Sequence, residues 1–278
     1  MNPKPKYIIS LILIMVFSLI SRAGNQKNSV GIDCFFSFLD KAKEDKKHEK
    51  DNQGAIIRIN PDEKVVYLAF TADLYFEGGG HILHVLEKYN LKGSFFFTGN
   101  FLREPAFQDI TRRIVEQGHY VGPHSDGHLL YCDWQKRDST LVSFEEFEND
   151  LKNNLAELEK FGVNPEELSF FMPPYEWYNR QIVKWSHQLG FNVVNFTPGT
   201  GTNADYTTPE MENYKSSVKI YMGLLRYEQG HPNALNGAIL LIHPGTAPER
   251  TDKFYRLLED MIRHFTSKGY RFKSLKQQ

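Results

Sequence analysis

Cysteine is nearly absent from this chain: Cys34 and Cys132 are the only two in 278 residues. That excludes a small fold stapled by disulfides, so an apolar core must hold the protein together. The length suits one large domain or two small ones. A single pair so far apart in sequence reads equally well as a disulfide or as two buried thiols. Charge of one sign is missing too. Lys and Arg total 33 against 34 Asp and Glu, a formal net charge of -1. No basic surplus points to nucleic acid, and no long like-charge block points to a polyelectrolyte partner. No Gly-x-Gly-x-x-Gly turn follows any early strand, which argues against a dinucleotide fold.

Long apolar runs are confined to the N-terminus, where residues 7–20 follow Lys4 and Lys6. The run is short for a membrane span. Ser21-Arg22-Ala23 then offers the small residues a signal peptidase reads, so residues 1–23 are expected to be a signal peptide. An uncleaved N-terminal anchor is the alternative. Either reading puts the body of the protein beyond the cytoplasmic membrane, periplasmic or extracellular. Membrane contact is then expected only through the signal or anchor. Residues 24–54 carry a nearly continuous charged run from Asp40 to Asp51 and read as a solvated helix or linker.

From residue 55 the pattern becomes regular. Ala55 to Ile59 and Val65 to Phe70 flank Asn60-Pro61-Asp62 and read as a hairpin. Apolar strands then alternate with helical spacing: strands near Phe95-Phe96-Phe97, Tyr120-Val121, residues 168–172, 193–196, 238–242 and 270–272. Ser143 with Glu146 forms a capping box before one of the helices. This order predicts parallel βαβ units. Strands without polar alternation predict a sheet covered on both faces. The expected fold is α/β, a distorted (β/α) barrel of about seven parallel strands with an N-terminal hairpin, occupying residues 55–278. An open doubly wound sheet is the alternative.

Parallel α/β sheets place their chemistry at the carboxyl ends of strands. Asp73, Thr98, His124, Pro174-Tyr175, Thr197 and His243 each stand at such an end. His124 and His128 are four residues apart, a spacing that on a helical turn would present both rings to one cation. With Asp73 they make two imidazoles and a carboxylate, a donor set that leaves a catalytic zinc an open fourth position. An aromatic content of 14% is compatible with sugar-stacking platforms, though such a surplus is more often ordinary core. Tyr175, Trp177, Tyr178 and Tyr206 are the candidates on rim loops.

From about residue 65 to residue 272 the chain resembles the polysaccharide deacetylases of the NodB-homology type, carbohydrate esterase family 4. Phe70-Thr71-Ala72-Asp73 stands at the family's first motif and His124-Ser125-Asp126-Gly127-His128 at its second. Phe95-Phe96-Phe97-Thr98-Gly99 and Gly118-His119 match signatures between motifs. Phe171-Met172-Pro173-Pro174-Tyr175 stands at the third motif and Leu240-Leu241-Ile242-His243 at the fifth. The resemblance implies a carbohydrate substrate, a divalent metal held by Asp73, His124 and His128 with zinc favoured, and His243 as general acid. It also implies substrate contacts from Pro174 and Tyr175, and a place for Leu241 in the acetyl pocket.

The departures are as informative. Ala72 stands where the family has its general base, and Met172 where it has the arginine that holds that base. Losing both is coherent, because either charge left alone in a closed site would cost several kcal/mol. The fourth motif is occupied by Thr197-Pro198-Gly199, with Asp205-Tyr206 the nearest Asp-aromatic pair. Glu176 and Asp126 are the candidates for a replacement base, and Glu176 is preferred because it follows the third motif directly. Three functions are therefore open. The first is an exported metal-dependent carbohydrate deacetylase acting on N- or O-acetyl groups. The second is a metal-containing carbohydrate-binding protein that has lost catalysis, and the third a hydrolase of some other amide or ester.

Overall fold

The computed structural model describes residues 47–278. The expected signal segment, Cys34 and most of the charged stretch lie outside the described residues, so neither the signal nor the disulfide is addressed by it. In chain order the strands are β1 (Glu49–Lys50), β2 (Ile56–Arg58), β3 (Val65–Ala72), β4 (Ser94–Phe97), β5 (Tyr120–Pro123), β6 (Phe170–Phe171), β7 (Asn192–Val193), β8 (Ile239–Ile242) and β9 (Arg271–Lys273). The α-helices are α1 (Gly79–Lys88), α2 (Gly99–Arg103), α3 (Gln108–Glu116), α4 (Phe144–Glu159), α5 (Arg180–Gln188), α6 (Ser217–Gly230) and α7 (Leu258–Ser267).

Five strands form one parallel sheet in the order β5-β4-β3-β8, with β9 also pairing to the first residues of β3. All eight residues of β3 are buried, as are β4, β5 and β8 throughout. Strand geometry sends alternate residues of β3 to opposite sides. Val66, Leu68 and Phe70 pack with Leu86, Met261 and Phe265 of the helices, while Val65, Tyr67 and Ala69 face Phe96, Met172 and Leu241. Burying a side chain such as Phe70 or Phe96 is worth up to about 3 kcal/mol, so this two-sided packing fixes the sheet.

The α/β expectation holds, but the seven-stranded barrel is not realised as one ladder. β6 and β7 form a separate parallel pair of two residues each. Only single backbone bonds join them to the main sheet: Met172 N–H to Pro123 O at 3.3 Å and Thr197 N–H to Ile239 O at 2.9 Å. Proline supplies the reason. Pro123 ends β5 and Pro173-Pro174 follow Met172, and none of them can donate to a ladder.

The hairpin expectation fails in its pairing. β2 runs antiparallel to β1, not to β3. Arg58 is fully buried and binds Glu49 Oε2 through Nε at 3.0 Å and Tyr227 Oη through Nη2 at 2.8 Å. Burying that guanidinium is tolerable only with such partners. Asp51 accepts from Tyr178 Oη at 3.0 Å and from the Ala55 N–H at 2.9 Å. The end of the charged stretch is therefore tied to the folded unit, which starts at Lys47 rather than at residue 55.

The capping box of α4 is present, with Ser143 N–H donating to Glu146 Oε2 at 2.7 Å and Glu146 N–H to Ser143 Oγ at 3.2 Å. Arg250 is fully buried. Its Nη1 donates to Thr207 O at 2.6 Å and its Nη2 to Lys215 O at 3.1 Å, tying down the segment before α6. Among the described residues no helix is long and apolar enough to cross a membrane.

Candidate active site

β3 delivers Asp73 to the carboxyl edge of the sheet, and β4 delivers Thr98 beside it. Thr98 Oγ1 donates to Asp73 Oδ1 at 2.8 Å while accepting from the Phe101 N–H at 3.0 Å, so one hydroxyl caps α2 and steers the carboxylate. Asn100 Nδ2 approaches the same oxygen at 3.4 Å. Asp73 Oδ2 is left facing His128 Nδ1 at 3.9 Å.

His124 follows β5 and is buried. Its Nδ1 lies 2.6 Å from Met172 O; a carbonyl can only accept, so Nδ1 carries the proton and Nε2 keeps its lone pair. Burial, and then the neighbouring His128, push its pKa down to about 3. Burial also lowers His128, against the raising effect of Asp73. Both rings are thus neutral imidazoles, the state a metal ligand requires.

The two histidines do not lie on a helical turn. Ser125 and His128 adopt positive φ (79° and 54°), and this irregular loop brings the ring centroids to 5.3 Å. Helix α4 supplies the support. Asn154 Oδ1 accepts from the His124 N–H at 2.9 Å, and Asp150 accepts from the N–H groups of Asp126 and Gly127 at 3.2 and 3.0 Å. Tyr131 Oη donates to Asp150 as well, at 2.5 Å. Asp150→Ala leaves the buried Tyr131 hydroxyl without its acceptor and takes the acceptor from two partly buried N–H groups. Its expected cost is about 3 kcal/mol of folding stability, read as a lowered urea midpoint at unchanged m. Gly99 completes the packing, because a Cβ there would run into the Asp126 carboxylate.

Asp126 is paired with Arg103 Nη1 at 2.5 Å, so it is engaged elsewhere and is not a free base. Glu176 is better placed. It lines a cavity of about 650 Å³ together with Asp73, His128, Tyr175 and His243. Tyr175 and Glu176 are consecutive left-handed residues (φ 60° and 53°). With Ser125 and His128, four of the six described non-glycine residues at positive φ fall in these two loops. Backbone strain of this kind concentrates at functional sites. Burial pushes the Glu176 carboxyl up to about 7, with His243 opposing the shift and Asp205 adding to it.

His243, at the end of β8, is gripped by Asp205. The His243 N–H donates to Asp205 Oδ2 at 2.9 Å, and its Nδ1 lies 2.6 Å from Asp205 Oδ1. Burial alone would lower the imidazole; the Asp205 charge and hydrogen bond, with Glu176 behind them, lift it above the usual value. Asp205 is fully buried in a short 3-10 helix (Thr202–Tyr206) without hydrophobic periodicity, and only the Asp-Tyr dipeptide hinted at it.

The remaining candidates separate cleanly. Ala72 lines the cavity and Met172 is fully buried. Leu241 and Pro174 are buried, and neither belongs to the cavity wall; Leu241 packs against Ala69 and Met172. Thr197 is structural, its Oγ1 accepting from the Ile239 N–H at 2.9 Å and donating to Ile57 O. Tyr178 is buried and bonded to Asp51 and Asn195, so it offers no stacking face. Trp177, Tyr175 and Tyr206 do line the cavity, joined by Trp134, which the sequence reading passed over.

Two donors on one tetrahedral zinc, each at about 2.0–2.2 Å, stand roughly 3.3 Å apart. The 3.9 Å between Asp73 Oδ2 and His128 Nδ1 is somewhat wider. Among the described residues no three His, Cys, Asp or Glu side chains converge closely enough to enclose an ion in this conformation. His128 packs on Tyr175 at a centroid distance of 4.3 Å, and Asp73 is held by Thr98. In chemical type the donors fit: a carboxylate with an uncommitted oxygen facing one neutral ring, and a second neutral ring oriented through a carbonyl.

A parallel α/β sheet with its polar cluster at the strand ends is the architecture of many enzymes, and comparison narrows it. The polysaccharide deacetylase family profile matches residues 58–194. The peptidoglycan-N-acetylmuramic acid deacetylase PdaA of Bacillus subtilis is 26% identical over 218 residues, covering 78% of this chain and 72% of that one. A peptidoglycan-N-acetylglucosamine deacetylase of Bacillus cereus is 29% identical over 133 residues, 46% of this chain and 43% of the other. Among solved structures, a pseudoenzyme of carbohydrate esterase family 4 from Bacillus anthracis superposes with a TM-score of 0.63 at 21% identity, covering 82% of this chain and 69% of that one. Over residues 58–194 the chain is thus similar to the polysaccharide deacetylases, and its fold is that of carbohydrate esterase family 4.

Proposed function

We propose that this chain is an exported, metal-dependent hydrolase that removes acetyl groups from a carbohydrate. The observation that carries the reading is the meeting of Asp73, His128, Glu176 and His243 on the walls of one cavity, with His243 held by Asp205. Family likeness and the activities named for the relatives above supply the reaction class. Asp73, His124 and His128 are the proposed holders of a divalent cation, zinc by ligand type. A zinc ion so held lowers the pKa of water and polarises a carbonyl as a Lewis acid.

The chain's own groups then divide the proton work. Glu176, with a pKa near 7, takes the proton of the attacking water in place of the carboxylate missing at Ala72. His243, its pKa raised and its ring oriented by Asp205, gives a proton to the departing sugar nitrogen or oxygen. Asp205→Asn removes the charge that lifts His243. The alkaline limb of the pH–rate profile is then expected to move to lower pH, and kcat at neutral pH to fall about 10²-fold. An unmoved alkaline limb would remove His243 from the acid role.

Acetate release from an acetylated oligosaccharide, abolished by a chelator and restored by Zn²⁺, tests the reading. The second reading, a carbohydrate-binding protein without catalysis, rests on Ala72 and Met172 standing where the family's base and its arginine would be. Tight metal and glycan binding with no acetate released from any acetylated glycan would decide for it.

A further inference from the structure

Trp134 is 54% exposed, yet it is not loose. It sits in the loop after the histidine pair, where the Asp133 N–H bonds Ser139 O at 3.0 Å and the Leu141 N–H bonds Tyr131 O at 2.9 Å. That loop is pinned to the segment after the third motif. Trp177 Nε1 donates to Asp133 O at 3.3 Å, Arg137 Nε to Tyr178 O at 2.6 Å, and Asn179 Nδ2 to Arg137 O at 3.0 Å. The Arg137 guanidinium lies 4.2 Å from the centre of the Trp177 ring. Trp134 stacks on Trp177 at 5.5 Å and 27° and meets Tyr175 edge-on at 5.4 Å. Tyr175 in turn touches His128.

A continuous aromatic wall thus leads from solvent to the reacting end of the cavity. Nothing in the core requires an exposed indole there, and exposed apolar surface contiguous with a polar pocket marks a ligand site. Large amphipathic rings already fixed in place bind with little further ordering. We propose that Trp134, backed by Trp177, is a second sugar subsite that receives a pyranose ring of an oligosaccharide next to the one presented to the cavity. The apolar face of the ring stacks on the indole, so the ligand class is a glycan of two or more rings rather than a lone acetylated sugar. This rests on the deacetylase reading only for the direction of the chain, because binding can be measured without turnover.

The test is calorimetry on the full chain with the monomer and tetramer of N-acetylglucosamine, and with xylose and acetylated xylotetraose. At least one tetramer is expected to bind about tenfold or more tightly than its monomer. Trp134→Ala should erase that gain, and Trp134→Tyr should keep most of it. A gain of the same size in Trp134→Ala, or no binding of any tetramer, overturns the proposal. Trp134-dependent binding without acetate release sinks the deacetylase reading and leaves the subsite standing. Acetate release with a chain-length gain indifferent to Trp134 does the reverse.

Discussion

Glu176→Gln is expected to lower kcat about 10²–10⁴-fold while leaving glycan affinity within a factor of about three. The amide keeps the size and position of the carboxyl but cannot accept a proton. In the parent protein the base works only when ionised, so with a folded pKa of about 7 the rate should climb with pH through that value. The variant should lose this limb. A cation seated nearby favours the ionised form, so the limb should lie at lower pH with zinc than with a weaker-bound metal. Stability supplies a second readout. A carboxyl raised from 4.5 to about 7 by burial contributes stability that is complete below the unfolded value and is lost as pH rises through 7. Glu176→Gln should therefore raise Tm relative to the parent at pH 8, and by much less at pH 4. Unchanged turnover in the variant would return the base to another group.

The sheet was legible in the sequence because β3, β4, β5 and β8 are almost wholly apolar, as strands of a doubly covered parallel sheet are. The capping box of α4 was legible for a local reason, since its two partners are three residues apart. Pairing was not. Residues 55–59 and 65–70 look like two arms of a hairpin, but the partner of β2 is chosen by Arg58, whose buried guanidinium needs Glu49 and Tyr227. At the site, the strand-end positions of Asp73 and His243 followed from the alternation of strands and helices. The irregular geometry that joins His124 to His128 did not, because it depends on Asp150 and Asn154 reaching in from a helix about twenty-five residues away. Asp205 was hidden for a related reason. The segment from 197 to 207 has no period to register it, and only the fold shows that its carboxylate meets His243. Trp134 looked like one aromatic among many until its neighbours on another loop were known.

His124→Ala is expected to have the largest effect of any single change at the site: zinc bound per chain should fall below about a tenth, and acetate release by more than about 10³-fold. The argument starts from the Nδ1 contact with Met172 O, which turns the basic Nε2 away from the backbone and fixes the tautomer. A ring so oriented loses little freedom on binding an ion, and a ligand of that kind is hard to replace. The fully buried Met172 matters here through its backbone, so Met172→Leu should leave zinc content unchanged although it alters the side chain in the same place. Asp73→Asn separates charge from position, since the amide can still accept from Thr98 Oγ1 but brings no negative charge to a cation. Its zinc affinity should drop about 10–100-fold or more, with Tm in the absence of metal nearly unchanged. Zinc content measured by mass spectrometry after dialysis separates the cases. Full zinc occupancy in both His124→Ala and Asp73→Asn would mean that the ion sits elsewhere, and the hydrolase proposal would lose its cation site.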